Sequence, residues 1–260
     1  MSWVKFSLLL ALCGNLDTME NTLARRLVAE FIGTALLLVA VVGGSRTLVG
    51  LIRLNSTKSS TTSLKSVGLL QMSDRFGAAL IAGLVLAVMV VVFGAVSGGH
   101  FNPAVSLGAF LFKGLTASEF VGYALAQIVG GVTGAVLAIY AATGSFSSVF
   151  GAKASLNAWS YVSEFVATFV LVMVVHSSIR AGRGNWVPLA LGGWVVVMAS
   201  AFPQGYGNPA VTFGSIFNGK GGPTFVGALI LVAVQAVAAV AAWSVTKFMY
   251  PQDASYKAAY

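Results

Sequence analysis

Asn102-Pro103-Ala104 and Asn208-Pro209-Ala210 are two copies of one triplet, each in a short apolar segment flanked by glycine. Proline lacks an N–H and its φ is preset, so it fits the first position of a helix. An asparagine before it can cap the free N–H groups of the first turn. Each triplet therefore reads as the start of a short helix, about 103–112 and 209–217. Neither is long enough to cross a membrane, and irregular backbone at membrane depth persists only where protein or a water-filled cavity surrounds it. If the two short helices enter from opposite faces, their N-termini meet near the midplane, each carrying roughly +0.5 of a charge. Two positive ends and two amide donors would repel cations and offer N–H groups to the oxygen of water or a small polyol.

Glu30 and Glu164 lie inside apolar segments, as do Gln127 and Gln235. A carboxylate inside a membrane is expensive and rarely faces lipid. It could relay protons or bind a cation. The duplicated position and the lack of a buried basic partner favour another use, as acceptor for N–H groups of the re-entrant loops. Gln127 and Gln235 read as further hydrogen-bond links from helix to loop. His100 precedes Asn102 by two positions and reads as a fixed, hydrogen-bonded loop residue rather than a pH gate. His176 falls near the end of an apolar segment and is expected at the interface.

These residues need a bilayer to position them. Of 260 residues, 57% are hydrophobic and 8% charged, and mean hydropathy is +0.88. A soluble domain carries roughly 25% charged residues, so this chain is expected to be an all-α integral membrane protein. A span needs roughly 20 mostly apolar residues. Six candidates run about 23–45, 76–97, 119–142, 158–180, 186–203 and 224–249. The chain also repeats. Glu30-Phe31 matches Glu164-Phe165, each followed by a threonine (Thr34, Thr168), and Gln127 and Gln235 follow their asparagines by 25 and 27 positions. Three spans per half make the second half enter in the opposite sense, an inverted repeat.

Arg25, Arg26, Arg180 and Arg183 would face the cytoplasm if both termini do, as the positive-inside tendency asks. Arg46, Arg53, Lys58, Lys65 and Arg75 run against it. Their segment, 46–75, is rich in serine and threonine and reads as an exposed, mobile loop with an N-glycosylation triplet at Asn55 that is expected to go unused. Residues 1–22 read as an extension, with Met19 opening the functional chain, and 251–260 as a tail. The net charge of +8 is scattered singly, which argues against nucleic acid. One Cys and two His argue against a metal site, and no nucleophile, base and orienting group can be assembled into an enzyme. No cofactor is implied.

Ser97-Gly98-Gly99-His100-Phe101-Asn102-Pro103-Ala104-Val105, the Ala29-Glu30-Phe31 and Ser163-Glu164-Phe165 stretches, and Tyr123-Ala124-Leu125-Ala126-Gln127 resemble the aquaporin (major intrinsic protein) family. The resemblance spans about 23–250, with repeats at about 23–142 and 158–249. It implies six transmembrane helices plus two re-entrant half-helices, one pore per subunit, a homotetramer, cytoplasmic termini and a place in the cell membrane. It also implies a second constriction lined by four positions. Counted from the two asparagines, these fall on Ala82, Val196, Gly205 and Val211. Most of the family has Arg where this chain has Val211, and water-selective members add a ring and a His. The set here resembles a subgroup some of whose members pass metalloid hydroxides. It implies a wide, apolar filter for water and glycerol- or urea-sized neutral solutes, with metalloid hydroxide or ammonia as alternatives. A coupled transporter resting on Glu30 and Glu164 is a different class, and so is a closed structural protein, in which Phe101 could narrow the path.

Overall fold

A computed structural model describes residues 21–56, 64–151, 153–202, 204–219 and 221–251, with side chains described outside 45–74. The described helices are α1 (Leu23–Ser56), α2 (Leu64–Ser97), α3 (Pro103–Leu111), α4 (Ala117–Thr143), α5 (Ala158–Arg180), α6 (Val187–Ala201), α7 (Pro209–Ser215) and α8 (Phe225–Met249). Short 3-10 turns occupy Phe146–Val149 and Gly184–Trp186, and no strand occurs among the described residues. Six helical stretches are long and apolar enough to span: Leu23–Gly44, Arg75–Ser97, Ala117–Thr143, Ala158–Arg180, Gly184–Ala201 and Phe225–Met249. At most 44% of any span's most apolar window is buried inside the protein, so much of each span's apolar surface is left for lipid.

The helices start where the sequence supplies caps. Thr116 and Glu119 form a capping box at α4, and Asn157 and Ser160 form another at α5. Thr224 accepts from Gly227 N–H at α8. The segment expected to be a loop, 46–75, is largely helical. α1 runs on to Ser56 and α2 begins at Leu64. Leu48, Leu51 and Ile52 keep the i, i+3, i+4 spacing of a helix, which outweighs the serine and threonine content. Residues 57–63, including Thr57 of the Asn55 triplet, lie outside the described residues, as do 1–20 and 252–260.

Close helix pairs rest on glycine. A Cβ on Gly130 or Gly134 of α4 would lie 2.4 Å from Phe31 O and 2.1 Å from Ala35 O of α1. The same holds between α2 and α6, where a Cβ on Gly83 would meet Gly192 O at 2.4 Å. Three spans and a half-helix precede residue 158 and three spans and a half-helix follow it, so the halves cross in opposite senses. Both described chain ends share one face. Asn21 Nδ2 donates to Ala95 O at 2.9 Å near the end of α2, and Arg180 Nε donates to Tyr250 O at 2.6 Å beyond α8.

Candidate functional site

α3 and α7 begin alike. Asn102 (φ −155, ψ 114) and Asn208 (φ −158, ψ 115) are extended, and each Oδ1 accepts from the N–H of the following alanine at 2.9 Å. Proline holds the first helical position of each. The two starts are tied reciprocally. Asn102 Nδ2 donates to Gly207 O at 2.8 Å, and Asn208 Nδ2 donates to Phe101 O at 2.9 Å. Both acceptor carbonyls belong to left-handed residues, Phe101 (φ 48) and Gly207 (φ 56). That conformation suits glycine and costs a side-chain-bearing residue about 1 kcal/mol or more. Phe101 is held in it from three sides: its N–H donates to Glu30 Oε2 at 2.7 Å, its carbonyl accepts from Asn208, and its ring fills the notch at Gly33.

Glu30 is fully buried and accepts four hydrogen bonds: from Ser97 Oγ (2.6 Å), His100 N (3.0 Å), Phe101 N (2.7 Å) and Gln127 Nε2 (2.7 Å). Glu164, equally buried, accepts three among the described residues: from Tyr206 N (3.2 Å), Gly207 N and Gln235 Nε2 (2.8 Å). Ser97 lies five positions before Asn102, and the matching position before Asn208 is Pro203, which has no hydroxyl. Each glutamine also reaches a hydroxyl in its half-helix. Gln127 Nε2 donates to Ser106 Oγ at 2.9 Å, and Gln235 Nε2 donates to Thr212 Oγ1 at 2.8 Å. Ser106 and Thr212 were not singled out by sequence reasoning, although each is a hydroxyl four residues after its asparagine.

Two cavities flank the asparagines. The first, of about 200 Å³, is lined by Asn102 and Asn208 at its floor, by Ala82, Gly205 and Val211 on its walls, and by Arg75 among its rim residues. The second, of about 240 Å³, is lined by Gly94, Gly98, Val175 and Gly184 on the face that carries the chain ends. His100, Val105 and Leu191 line both, so the two cavities adjoin across these residues, and the asparagines line the first. Each asparagine amide has one N–H spent on a backbone carbonyl and a second with no protein acceptor among the described residues.

Of the four residues expected at a constriction, Ala82, Gly205 and Val211 line the first cavity, and Val196 does not. Val196 packs over α2, where its Cγ2 would stand 2.6 Å from a Cβ on Gly83. α6 presents Leu191, Val195, Met198 and Ala199 to the cavity instead. One residue along a helix is a turn of about 100°, so counting back twelve positions through a non-helical loop misses the facing residue by one step. Phe101 does not narrow the path either; it is fully buried and lines neither cavity.

His100 is 2% exposed, and its Nδ1 lies 2.9 Å from Ser106 Oγ. His176, expected at the interface, is fully buried, with Nε2 3.1 Å from Val105 O of α3. It reaches that carbonyl because position 108 is glycine; a Cβ there would lie 2.2 Å from Nε2. Tyr123 Oη donates to Ser97 O at 2.7 Å and accepts from Arg26 Nε at 2.8 Å, and Arg26 pairs with Glu119 at 2.6 Å. No cluster of His, Cys, Asp and Glu that could hold a metal occurs among the described residues.

The family model described as Major intrinsic protein matches residues 17–217. A protein named Probable aquaporin TIP1-2, from Oryza sativa subsp. japonica, is 34% identical over 199 residues, covering 74% of each chain. Glycerol uptake facilitator protein-like 6 of Lactiplantibacillus plantarum is 28% identical over 211 residues, covering 75% of this chain and 85% of its own. The crystal structure of the aquaglyceroporin from Plasmodium falciparum superposes with a TM-score of 0.66 at 20% identity, covering 90% of this chain and 99% of that one.

Proposed function

This chain belongs to the major intrinsic protein family, and from that premise we propose that it is a passive channel for water and for neutral solutes the size of glycerol or urea. It is a multi-pass integral membrane protein with six spans. The observation that carries the reading is the pair of asparagine amides, held by reciprocal bonds to Gly207 O and Phe101 O, which line the first cavity beside the residues it shares with the second. A solute oxygen passing there meets two N–H donors at one level while its carbon skeleton slides along Val105 and Leu191. The half-helix N-termini add positive potential at the same level and disfavour cations.

The breadth of the path rests on what lines the first cavity. At the expected constriction Ala82, Gly205 and Val211 are small or aliphatic and bring neither ring nor cation, while Arg75 and Tyr206 line other parts of the same cavity. Glu30 and Glu164 support the channel reading rather than coupled transport, since their oxygens are engaged by loop N–H groups and amides and they line neither cavity. The chain ends and the arginines at 180 and 183 share one face, which supports cytoplasmic termini by the positive-inside tendency. We place four such subunits in the assembly, each with its own path.

Stopped-flow permeation in proteoliposomes tests this, with water, glycerol, urea and arsenite as solutes. Water flux together with glycerol or urea flux is expected. Water flux with no larger solute would overturn the wide filter. Arsenite as the one larger solute carried would favour the metalloid alternative.

A further inference from the structure

Val211 stands where most of the family has a cation, yet the same cavity contains a guanidinium that the family pattern does not assign. On α2, Arg75, Ala78, Ala79, Ala82 and Leu86 all line the first cavity. Their spacing of 3, 4, 7 and 11 from Arg75 is that of one helical face. Arg75 therefore sits over Ala82, about 10 Å further out along the axis. Its Nη2 donates to Phe202 O, at the C-cap of α6, where the chain turns into the loop leading to Gly205. Among the described lining residues of this cavity, Arg75 is the one with a permanent charge.

From this geometry, and resting on the channel reading above, we propose that Arg75 is a specificity-determining residue. It forms a positive collar at the mouth that rejects cations, two helical turns outward of the level held by Ala82. The collar leaves the apolar wall at Ala82 and Val211 wide for neutral solutes while placing a charge on their way in. A cation entering the mouth meets that charge before it reaches the half-helix ends, whose effect fades within about one turn. Phe202 is the anchor: its carbonyl keeps the guanidinium bridged from α2 to the α6 loop instead of trailing into solvent. Because Arg75 is exposed, its field is partly screened by salt.

Guanidinium and urea share size and planar shape and differ in charge, so their permeability ratio reads the barrier. The full chain in proteoliposomes is assayed for both, and for water, as wild type, Arg75→Gln, Arg75→Lys and Arg75→Gln combined with Val211→Arg. The guanidinium flux, scored against urea and against water, is expected to rise about tenfold in Arg75→Gln, as fits loss of a unit charge from the cavity lining. It should stay near the wild-type value in Arg75→Lys and fall back in the double variant, whose new cation stands lower in the same cavity. A bridge that served only to hold α2 against α6 would not be replaced by Val211→Arg. An unchanged ratio in a conducting Arg75→Gln channel, or a rise that Val211→Arg leaves in place, overturns the proposal alone. A wild type that carries no water overturns the channel reading and this proposal with it.

Discussion

Removing the Glu30 carboxylate should unfold the first re-entrant loop, and removing Glu164 should do the same to the second at lower cost. Glu30→Ala strands four donors: Ser97 Oγ, His100 N, Phe101 N and Gln127 Nε2. Glu164→Ala strands three: Tyr206 N, Gly207 N and Gln235 Nε2. A buried donor left without an acceptor costs about 1–3 kcal/mol. The backbone N–H groups cannot swing to other acceptors, because Phe101 is fixed between Gly33 and Asn208. Even at about 1 kcal/mol per donor, Glu30→Ala loses about 4 kcal/mol and Glu164→Ala about 3. For a protein of this size, 1 kcal/mol moves Tm by about 2–4 °C, so drops of at least about 8 °C and 6 °C follow. The assay is thermal unfolding in detergent by intrinsic fluorescence, with size-exclusion recovery as a second reading. Glu30→Gln should fall between, since one oxygen remains while the new NH2 faces donors. A wild-type Tm in Glu30→Ala, or a larger drop in Glu164→Ala than in Glu30→Ala, would refute the reasoning. A stable variant that had lost a proton-driven flux would instead make the carboxylates a transport site.

Val211→Arg should cut glycerol flux several-fold and water flux less, because it adds a long five-donor cation to the wall of a cavity of about 200 Å³; unchanged glycerol permeability in a water-conducting variant would show that Val211 does not border the path. Val195→Trp should block water flux by filling the cavity from α6, whereas Val196→Trp should act on assembly by prying α6 from Gly83; paired flux and melting measurements separate them, and the reverse pattern would reinstate Val196 as the lining residue. Gly33→Ala and Gly108→Ala should each lower Tm by several degrees, since the new methyl would lie 2.1 Å from Phe101 Cε1 and 2.2 Å from His176 Nε2; a tolerated Gly108→Ala would mean that His176 does not hold Val105 O.

The six spans and the two helix starts could be read from the chain because each follows from local chemistry, and the family from the resemblance of its motifs. Apolar length sets a span, proline sets a first helical turn, and a duplicated Glu-Phe and Asn-Pro-Ala expose the repeat. Glu30, Glu164, Gln127 and Gln235 stood out because a membrane makes any buried polar group conspicuous, and the structure joins each glutamine to its glutamate. What the sequence could not decide was which way side chains face once a loop intervenes. Val196 was one step of about 100° from the lining position, and Phe101, next to an asparagine of the path, turns its ring into Gly33 because its φ is left-handed. His176 was placed by the absence of a side chain at Gly108, a cause 68 positions away in the chain. Arg75 looked like one of several basic residues in a polar segment, and only the helix through it stacks it above Ala82 and carries it to Phe202 O. Local propensity acts over a few residues and is written in order along the chain. The lining of a path depends on the rotation and close approach of distant helices, which the tertiary structure alone decides.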